Sequence, residues 1–502
     1  MGNMSPFLAR KAAPRVTELG VGMPDGTVVT PTDGADAPGA PPTPAAPGAA
    51  EAPPAAAALA FGPPQPSSKK RRWSALGPLL ATVVVLLLSG LLVFILAVVT
   101  AADGTPALPD DDRPAVPDAS WYGVPPLNVS LPDASLPLSF FAHGSCADQR
   151  KPQRFWRTLL GLRPELFIFN GDIVYGDCYD NWACSSLPQA WRQLFTNSHF
   201  ADARATLPMT GMLDDHDYGA NDCDASNPNK AFAKEIFLER FGAPPTDVRR
   251  TRGGLYTVHT LGPSGQRTQI IMLDTRWARS PFVQTSCYMC AGMERYVPYN
   301  SSASARHTIL GEEQWAWLGG VLAMPADLRI VVSTVQVLAL DHGWERWGLI
   351  PTEVNRLVSL IRTSRANGVV LLSGDRHTGG IYTLPRGSAF GGSGGSGGGD
   401  GAGVAAPYDL IEVTASSLTH SVRLDTSEVD EGGHYRIGPL THQNNFGTVA
   451  VDWEARTLTL DLRASDDCGL SAQPWGEMCA AHNGSAGANI MNVTVALDAL
   501  AL

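Results

Sequence analysis

Charged residues are few in this chain of 502: Asp, Glu, Lys and Arg make up 17%, whereas hydrophobic residues make up 44%. Cations are fewer than anions, 37 Lys and Arg against 48 Asp and Glu, which leaves a formal net charge of −11. That balance excludes general binding to nucleic acid, whose phosphate backbone needs clustered Lys and Arg. One dense basic run stands apart, Lys69–Arg72. Cysteine is missing from the first 145 residues, and all eight lie beyond. Aromatics are sparse in residues 1–68, which are rich in Pro, Ala, Gly and Thr and show no periodicity. Such a segment cannot bury enough apolar surface to offset chain entropy, so residues 1–75 are expected to form a disordered tail. No internal repeat is found.

What is present begins with one long apolar run. Leu76–Val99 carries no charge. At about 1.5 Å per residue it reaches about 36 Å, enough to span a bilayer core. A buried core helix is the other reading, but the preceding segment offers nothing to sheath it. A cleaved signal peptide fits poorly, because the run is long and starts far from Met1. The basic quartet precedes it, and Asp103, Asp110, Asp111 and Asp112 follow it. A signal-anchor is therefore expected, in a type II topology with a cytoplasmic N-terminus and a lumenal or extracellular remainder. Asn128, Asn300, Asn483 and Asn492 open glycosylation sequons downstream of the run. Asn3 also matches but falls on the cytoplasmic side. Cys178/Cys184 and Cys468/Cys479 are candidates for local disulfides in an oxidising compartment. Cys287 and Cys290 form a C-x-x-C without a second ligand pair for zinc. Setting Cys146 aside leaves an odd number of cysteines, so one other thiol is free or bonds another chain.

Residues 100–135 are Pro- and Asp-rich and read as a stalk; 136–502 read as one α/β domain. Strand candidates are Leu138–Ala142, Leu166–Asn170, Thr268–Leu273, Ile330–Thr334 and Val369–Ser373. Phe155/Leu159/Leu162 and Phe232/Ile236 recur at helical spacing, and Glu312–Leu322 and Thr352–Ile361 read as helices. Leu410–Thr414, Thr448–Asp452 and Leu458–Leu462 are later strands. Gly391–Gly403 is a Gly-rich flexible insert. Polar clusters follow the strand candidates: Phe140–Cys146, Phe167–Asp177, Leu213–Asp222, Leu273–Arg276, Val332–Gln336 and Leu371–His377. Open α/β sheets place their sites at the carboxyl ends of strands. Carboxylates brought together there repel unless protons or cations neutralise them, so a metal centre is expected.

Seven motifs in order carry a resemblance: HGSC (His143–Cys146), GDIVYGD (Gly171–Asp177), DDHDYG (Asp214–Gly219), LDTR (Leu273–Arg276), GEEQWAWL (Gly311–Leu318), QVLALDHGWERW (Gln336–Trp347) and SGDRH (Ser373–His377). The series closely resembles the PhoD-like (alkaline phosphatase D) family of the calcineurin-like metallophosphoesterases, from about Phe140 to Leu384 and on towards Val451. The resemblance implies a β-sandwich of two mixed sheets flanked by helices, with a dinuclear metal site at its edge. It also implies hydrolysis of phosphate mono- or diesters.

Roles carry over by position. Asp172 matches the bridging aspartate of the GD motif. Tyr175 matches the tyrosine that binds ferric iron in the purple-acid-phosphatase branch. Asp215 and His216 stand where the superfamily has an Asn ligand followed by a catalytic His. Asp375 and His377 stand for the GHxH block. HGSC replaces the usual D-x-H, and the resemblance makes Cys146 a ligand. Gln336 is the nearest match to the missing fourth-block His. The first metal would then take Cys146, Asp172, Tyr175 and His377, a set suited to Fe(III). The second would take Asp172, Asp215, Asp375 and Gln336, oxygen donors suited to Ca²⁺, Mg²⁺ or Mn²⁺. His216 is the expected acid, and Arg276 and Arg376 the expected phosphate-binding residues. Asp214, Asp217 and Asn221 are expected to hold ligands or form turns; His143, His342 and His420 are expected to be structural. A catalytically inactive glycosylated ectodomain, used for binding or adhesion, is the alternative. The residues do not distinguish monoester from diester substrates or fix the oligomeric state.

Overall fold

The computed structural model describes residues 116–118, 120–127, 130–178, 184–285, 295–391, 403–422, 433–465 and 486–502. Among them no helix is long and apolar enough to cross a membrane. The expected span at 76–99 lies outside them, as do the tail, Asn128, Asn483, Cys287, Cys290, Cys468, Cys479 and most of the Gly-rich insert.

In chain order the strands are β1 (Phe140–Gly144), β2 (Phe167–Asn170), β3 (Met209–Met212), β4 (Thr257–Leu261), β5 (Thr268–Met272), β6 (Val283–Gln284), β7 (Tyr296–Val297), β8 (Leu328–Val332), β9 (Val369–Ser373), β10 (Gly379–Leu384), β11 (Leu410–Ala415), β12 (Arg436–Thr441), β13 (Asn445–Asp452), β14 (Thr457–Ala464) and β15 (Asn489–Ala496). The helices are α1 (Phe155–Leu162), α2 (Ser186–Thr196), α3 (Ser198–Thr206), α4 (Asp215–Tyr218), α5 (Lys230–Arg240), α6 (Ser301–Ser304), α7 (Gly311–Leu322) and α8 (Pro351–Thr363).

Two mixed sheets result. One has the order β15-β14-β13-β1-β2-β3, the other β12-β10-β11-β9-β8-β5-β4, and β6 pairs with β7 alone. β1, β2 and β3 run parallel, as do β5, β8, β9 and β11. β8 (LRIVV) and β9 (VVLLS) are buried throughout. Continuous apolar runs of this kind suit parallel strands covered on both faces. β11 packs against β1, β13 and β14, which closes the sandwich. Ile330, Val331, Leu371 and Leu372 are fully buried in it, and truncating such a side chain to alanine typically costs about 2–5 kcal/mol. β15 alternates exposed and half-buried residues, as an outer strand with one solvated face does.

The stalk boundary needs correction. Tyr122 is fully buried and Arg240 stacks on its ring at 3.7 Å. The Leu127 N–H donates to the Arg240 carbonyl at 2.8 Å. Residues 120–127 are therefore docked on the domain.

Candidate metal centre

The parallel strands all end at one edge, and the polar clusters emerge there. β1 leads to Cys146, β2 to Asp172 and Tyr175, β3 to Asp214 and Asp215, β5 to Arg276, β8 to Gln336 and β9 to Asp375 and His377. The turns are tight. Gly171 has φ +96°, and a Cβ there would lie 2.5 Å from the Asp214 Cβ. A Cβ on Gly374 would lie 2.5 Å from Ser145 Oγ, so neither GD motif tolerates a side chain before its aspartate. Four of the donors themselves have left-handed backbones: Cys146 (φ 61°), Asp172 (47°), Asp375 (70°) and His377 (52°). Each such residue costs on the order of 1–3 kcal/mol, and strain of this kind collects at functional sites.

Four side chains of the first expected set meet. Cys146 Sγ lies 3.4 Å from Asp172 Oδ2. Tyr175 OH is 3.2 Å from the same oxygen and 2.9 Å from His377 Nε2. Asp172 Oδ1 is buried without a partner. Burial, then the charges of Asp215 and Cys146, push Asp172 well above the usual carboxylate range. Burial pushes Cys146 up to about 11 and His377 down to about 3. Every group is thus biased towards its neutral form, chiefly by burial, and a cation among them would reverse that bias. Thiol, phenol, imidazole and carboxylate together fit a transition metal.

A second, all-carboxylate group adjoins it. Asp214, Asp215 and Asp375 offer oxygens within 4.8 Å of one another, and so do Asp215, Asp222 and Glu345; Asp172 and Asp215 form such a group with His216. Asp215 also accepts from the backbone N–H groups of His216 (2.9 Å) and Asp222 (2.6 Å). Burial opposes its ionisation, but Arg276, His216 and the Asp222 N–H overcome it and hold its pKa below the usual range. Burial, then Glu345 and Asp214, push Asp375 well above it. This oxygen-donor set fits a hard divalent cation.

His216 is the second residue of the short helix α4. Asp217 Oδ2 accepts the Asp214 N–H and its Oδ1 the Val174 N–H, which makes Asp217 a turn-forming residue. His216 Nδ1 lies 2.8 Å from Asp177 Oδ1, so its other ring nitrogen is left for the cleft. Burial opposes protonation, but Asp215 and Asp177 outweigh it and raise the His216 pKa to about 9.

Two residues of the expected set lie away from the cleft. Gln336 is fully buried, but Nε2 donates to Thr414 Oγ1 (2.9 Å) and Oε1 faces His342 Nε2 (2.9 Å). Its amide is spent there, and Gln336 does not line the cleft. Arg276 is 1% exposed and bonded to carboxylates, and it does not line the cleft either. Arg376 does line it; its Nε and Nη2 are buried without a partner. Glu345 and Asp177 lie inside quoted motifs and Asp222 ends the cluster Leu213–Asp222, but none of the three stood among the expected site residues. His420, read as structural, stacks edge-on to His377 at 4.3 Å. His143 lies beneath β13 with Nδ1 2.8 Å from Asn170 Nδ2.

The cleft holds about 80 Å³ and is lined by Asp172, Asp215, His216, Asp375, Arg376 and His377, with Trp344 at its wall. A larger cavity of about 270 Å³ lies elsewhere, against Arg329. That arginine caps main-chain carbonyls of Met324 and Asn367, at 2.7 Å each. Cys178 and Cys184 form the expected disulfide, and Cys146 and Cys223 are free thiols.

Sandwiched mixed sheets that gather Asp, His, Cys and Tyr donors at the ends of their parallel strands build the kind of site that metal-dependent hydrolases use. The chain belongs to the PhoD-like phosphatase family, whose model matches residues 141–461. A solved structure of PhoD is similar, with a TM-score of 0.54 at 18% identity, covering 74% of this chain and 72% of that one. At that identity the likeness shows the fold. A structure of GAP50, the anchor in the inner membrane complex of Plasmodium, matches at a TM-score of 0.38 and 11% identity over 71% of this chain and 88% of its own. That likeness carries no argument. No curated protein matches the chain.

Proposed function

We propose that this chain is a membrane-anchored, extracytoplasmic phosphoesterase that hydrolyses phosphate mono- or diesters with water. The observation that carries the reading is the meeting of Cys146, Asp172, Tyr175 and His377 beside the Asp215–Asp375 pair. Cys146, Asp172, Tyr175 and His377 would hold one cation, and Asp172, Asp215 and Asp375 the other. Cations bound there would lower the pKa of water and neutralise phosphoryl oxygens. His216, oriented by Asp177, would protonate the leaving group. Arg376 would bind phosphoryl oxygens through its unpartnered edge. Metal analysis of the purified protein, with a panel of phosphate esters, tests the reading. Absence of turnover on every ester by metal-replete protein overturns it.

Two further outcomes are expected. Charge-assisted hydrogen bonds contribute about 1.5–3 kcal/mol, so Arg376→Ala should lower kcat/KM by about 10- to 100-fold, mostly through KM. An unchanged KM with lowered kcat would show that Arg376 does not bind the ground state. For topology, protease added to sealed vesicles that expose the cytoplasmic face should cleave the tail and spare the glycosylated domain. Digestion of that domain from the cytoplasmic side would reverse the orientation argued from Lys69–Arg72.

A further inference from the structure

Arg276 faces four carboxylates, one of which, Glu345, also bonds Arg279 Nη2 at 2.9 Å. Its Nε bonds Asp214 Oδ1. Nη1 lies 2.6 Å from Glu345 Oε2, and Nη2 lies 3.3 Å from Asp375 Oδ1 and 3.8 Å from Asp215 Oδ1. These carboxylates come from three separate loops: after β3, after β9, and between β8 and α8. The arginine is itself aimed by its motif. Asp274 accepts N–H bonds from Arg276 (3.1 Å), Trp277 (2.9 Å) and Leu255 (2.8 Å), and the Tyr218 hydroxyl at 2.7 Å. The LDTR turn is therefore rigid, and the guanidinium points inward at 1% exposure, out of reach of a substrate.

We propose that Arg276 is a positioning residue: an internal cation that assembles the carboxylates of the second cation site. The inference rests on the reading that this site holds a cation. Asp215 and Asp375 would each turn one oxygen to the guanidinium and keep the other for the exchangeable ion. A planar fork with five donors in fixed directions can set the mutual angles of carboxylates from three loops. The ammonium of lysine is a point charge and cannot. Carboxylates gathered in this way would repel one another without a resident charge. The arginine reduces that repulsion before the exchangeable ion arrives.

The test is calorimetric titration of chelator-stripped full-length protein in detergent with CaCl₂ and, separately, MnCl₂. Metal retained at the Cys146 site is measured alongside. Arg276→Gln and Arg276→Lys should both weaken the exchangeable site by tenfold or more and leave the retained metal unchanged. Tighter or equal binding in Arg276→Gln would show that the arginine merely opposes the incoming charge, and would overturn the proposal. Full rescue by Arg276→Lys would overturn it too, because charge alone would then suffice. If either variant fails to fold, Asp274→Asn loosens the turn that aims the guanidinium and leaves every candidate cation donor in place, and it should weaken the exchangeable site several-fold. Unchanged affinity in Asp274→Asn overturns the proposal. Cation binding by wild-type protein without turnover on any ester would count against the phosphoesterase reading alone.

Discussion

His216→Ala is expected to lower turnover by about two to four orders of magnitude, the usual contribution of a general acid, and to leave metal content unchanged. The argument is geometric. Nδ1 of His216 is held by Asp177 at 2.8 Å, and the ring lines the cleft with Asp172 and Asp375. An acid must be protonated when the ester bond breaks. Asp215 and Asp177 overcome burial to raise the His216 pKa to about 9, so the proton is present at neutral pH. Bound cations oppose that charge, so the alkaline fall in kcat should lie below about 9 and run downward as pH rises through the His216 pKa. Asp177→Asn removes one stabilising charge and should move that fall to lower pH. A profile unmoved by Asp177→Asn would separate Asp177 from the acid. If His216→Ala also empties the second site, His216 is a ligand and not the acid; its place in a donor group with Asp172 and Asp215 makes that outcome worth measuring.

The donors were legible because each follows a strand that reads as an apolar run. Val369–Ser373 is a strand over the expected residues, and Asp375 and His377 follow it directly. Where a strand end moved, side-chain bonds mark the place. Residues 330–334 were expected to be extended, yet the strand stops at Val332. Ser333 Oγ turns to the Val335 carbonyl at 2.5 Å and Thr334 Oγ1 to Asp214 at 2.7 Å, while their main chains still bond Leu372 and Gly374 beside β9. β10 and β12 carry glycines, and β12 a proline, so they showed no clean apolar run. Gln336 and Arg276 lie away from the cleft for a different reason. Most of what occupies their polar atoms is distant in sequence: Thr414 for the one, beside the nearby His342, and Asp214, Glu345 and Asp375 for the other. No local pattern reports such partners. Glu345 sits between two tryptophans in WERW, where the aromatic residues dominate the reading and hide the carboxylate.

The two cations are expected to differ, and mild chelation should separate them. Cys146 Sγ, Tyr175 OH and His377 Nε2 surround Asp172 Oδ2 at one end of the cleft. Ca²⁺ and Mg²⁺ disfavour thiolate and imidazole, whereas a ferric ion accepts phenolate and carboxylate readily. At the other end Asp215 and Asp375 offer oxygen alone, with Asp214, Asp222 and Glu345 close by. Carboxylate oxygens bind hard divalent ions in exchangeable fashion. Chelation should therefore remove the second ion first and abolish turnover, while iron stays. Added Ca²⁺, Mg²⁺ or Mn²⁺ should restore activity. Loss of one of two ions that clamp a phosphoryl group costs several kcal/mol of charge stabilisation, or at least about a hundredfold in rate. A phenolate bound to ferric iron absorbs visible light, so the native protein should be coloured, and Tyr175→Phe should remove or shift the band. Cys146 is a free, fully buried thiol, which keeps it available as a ligand. Its burial raises the thiol pKa to about 11, so the thiolate would form only with a cation beside it. Elemental analysis of active protein decides between the readings: two equivalents of zinc and no iron would refute the asymmetric pair while leaving the phosphoesterase assignment standing.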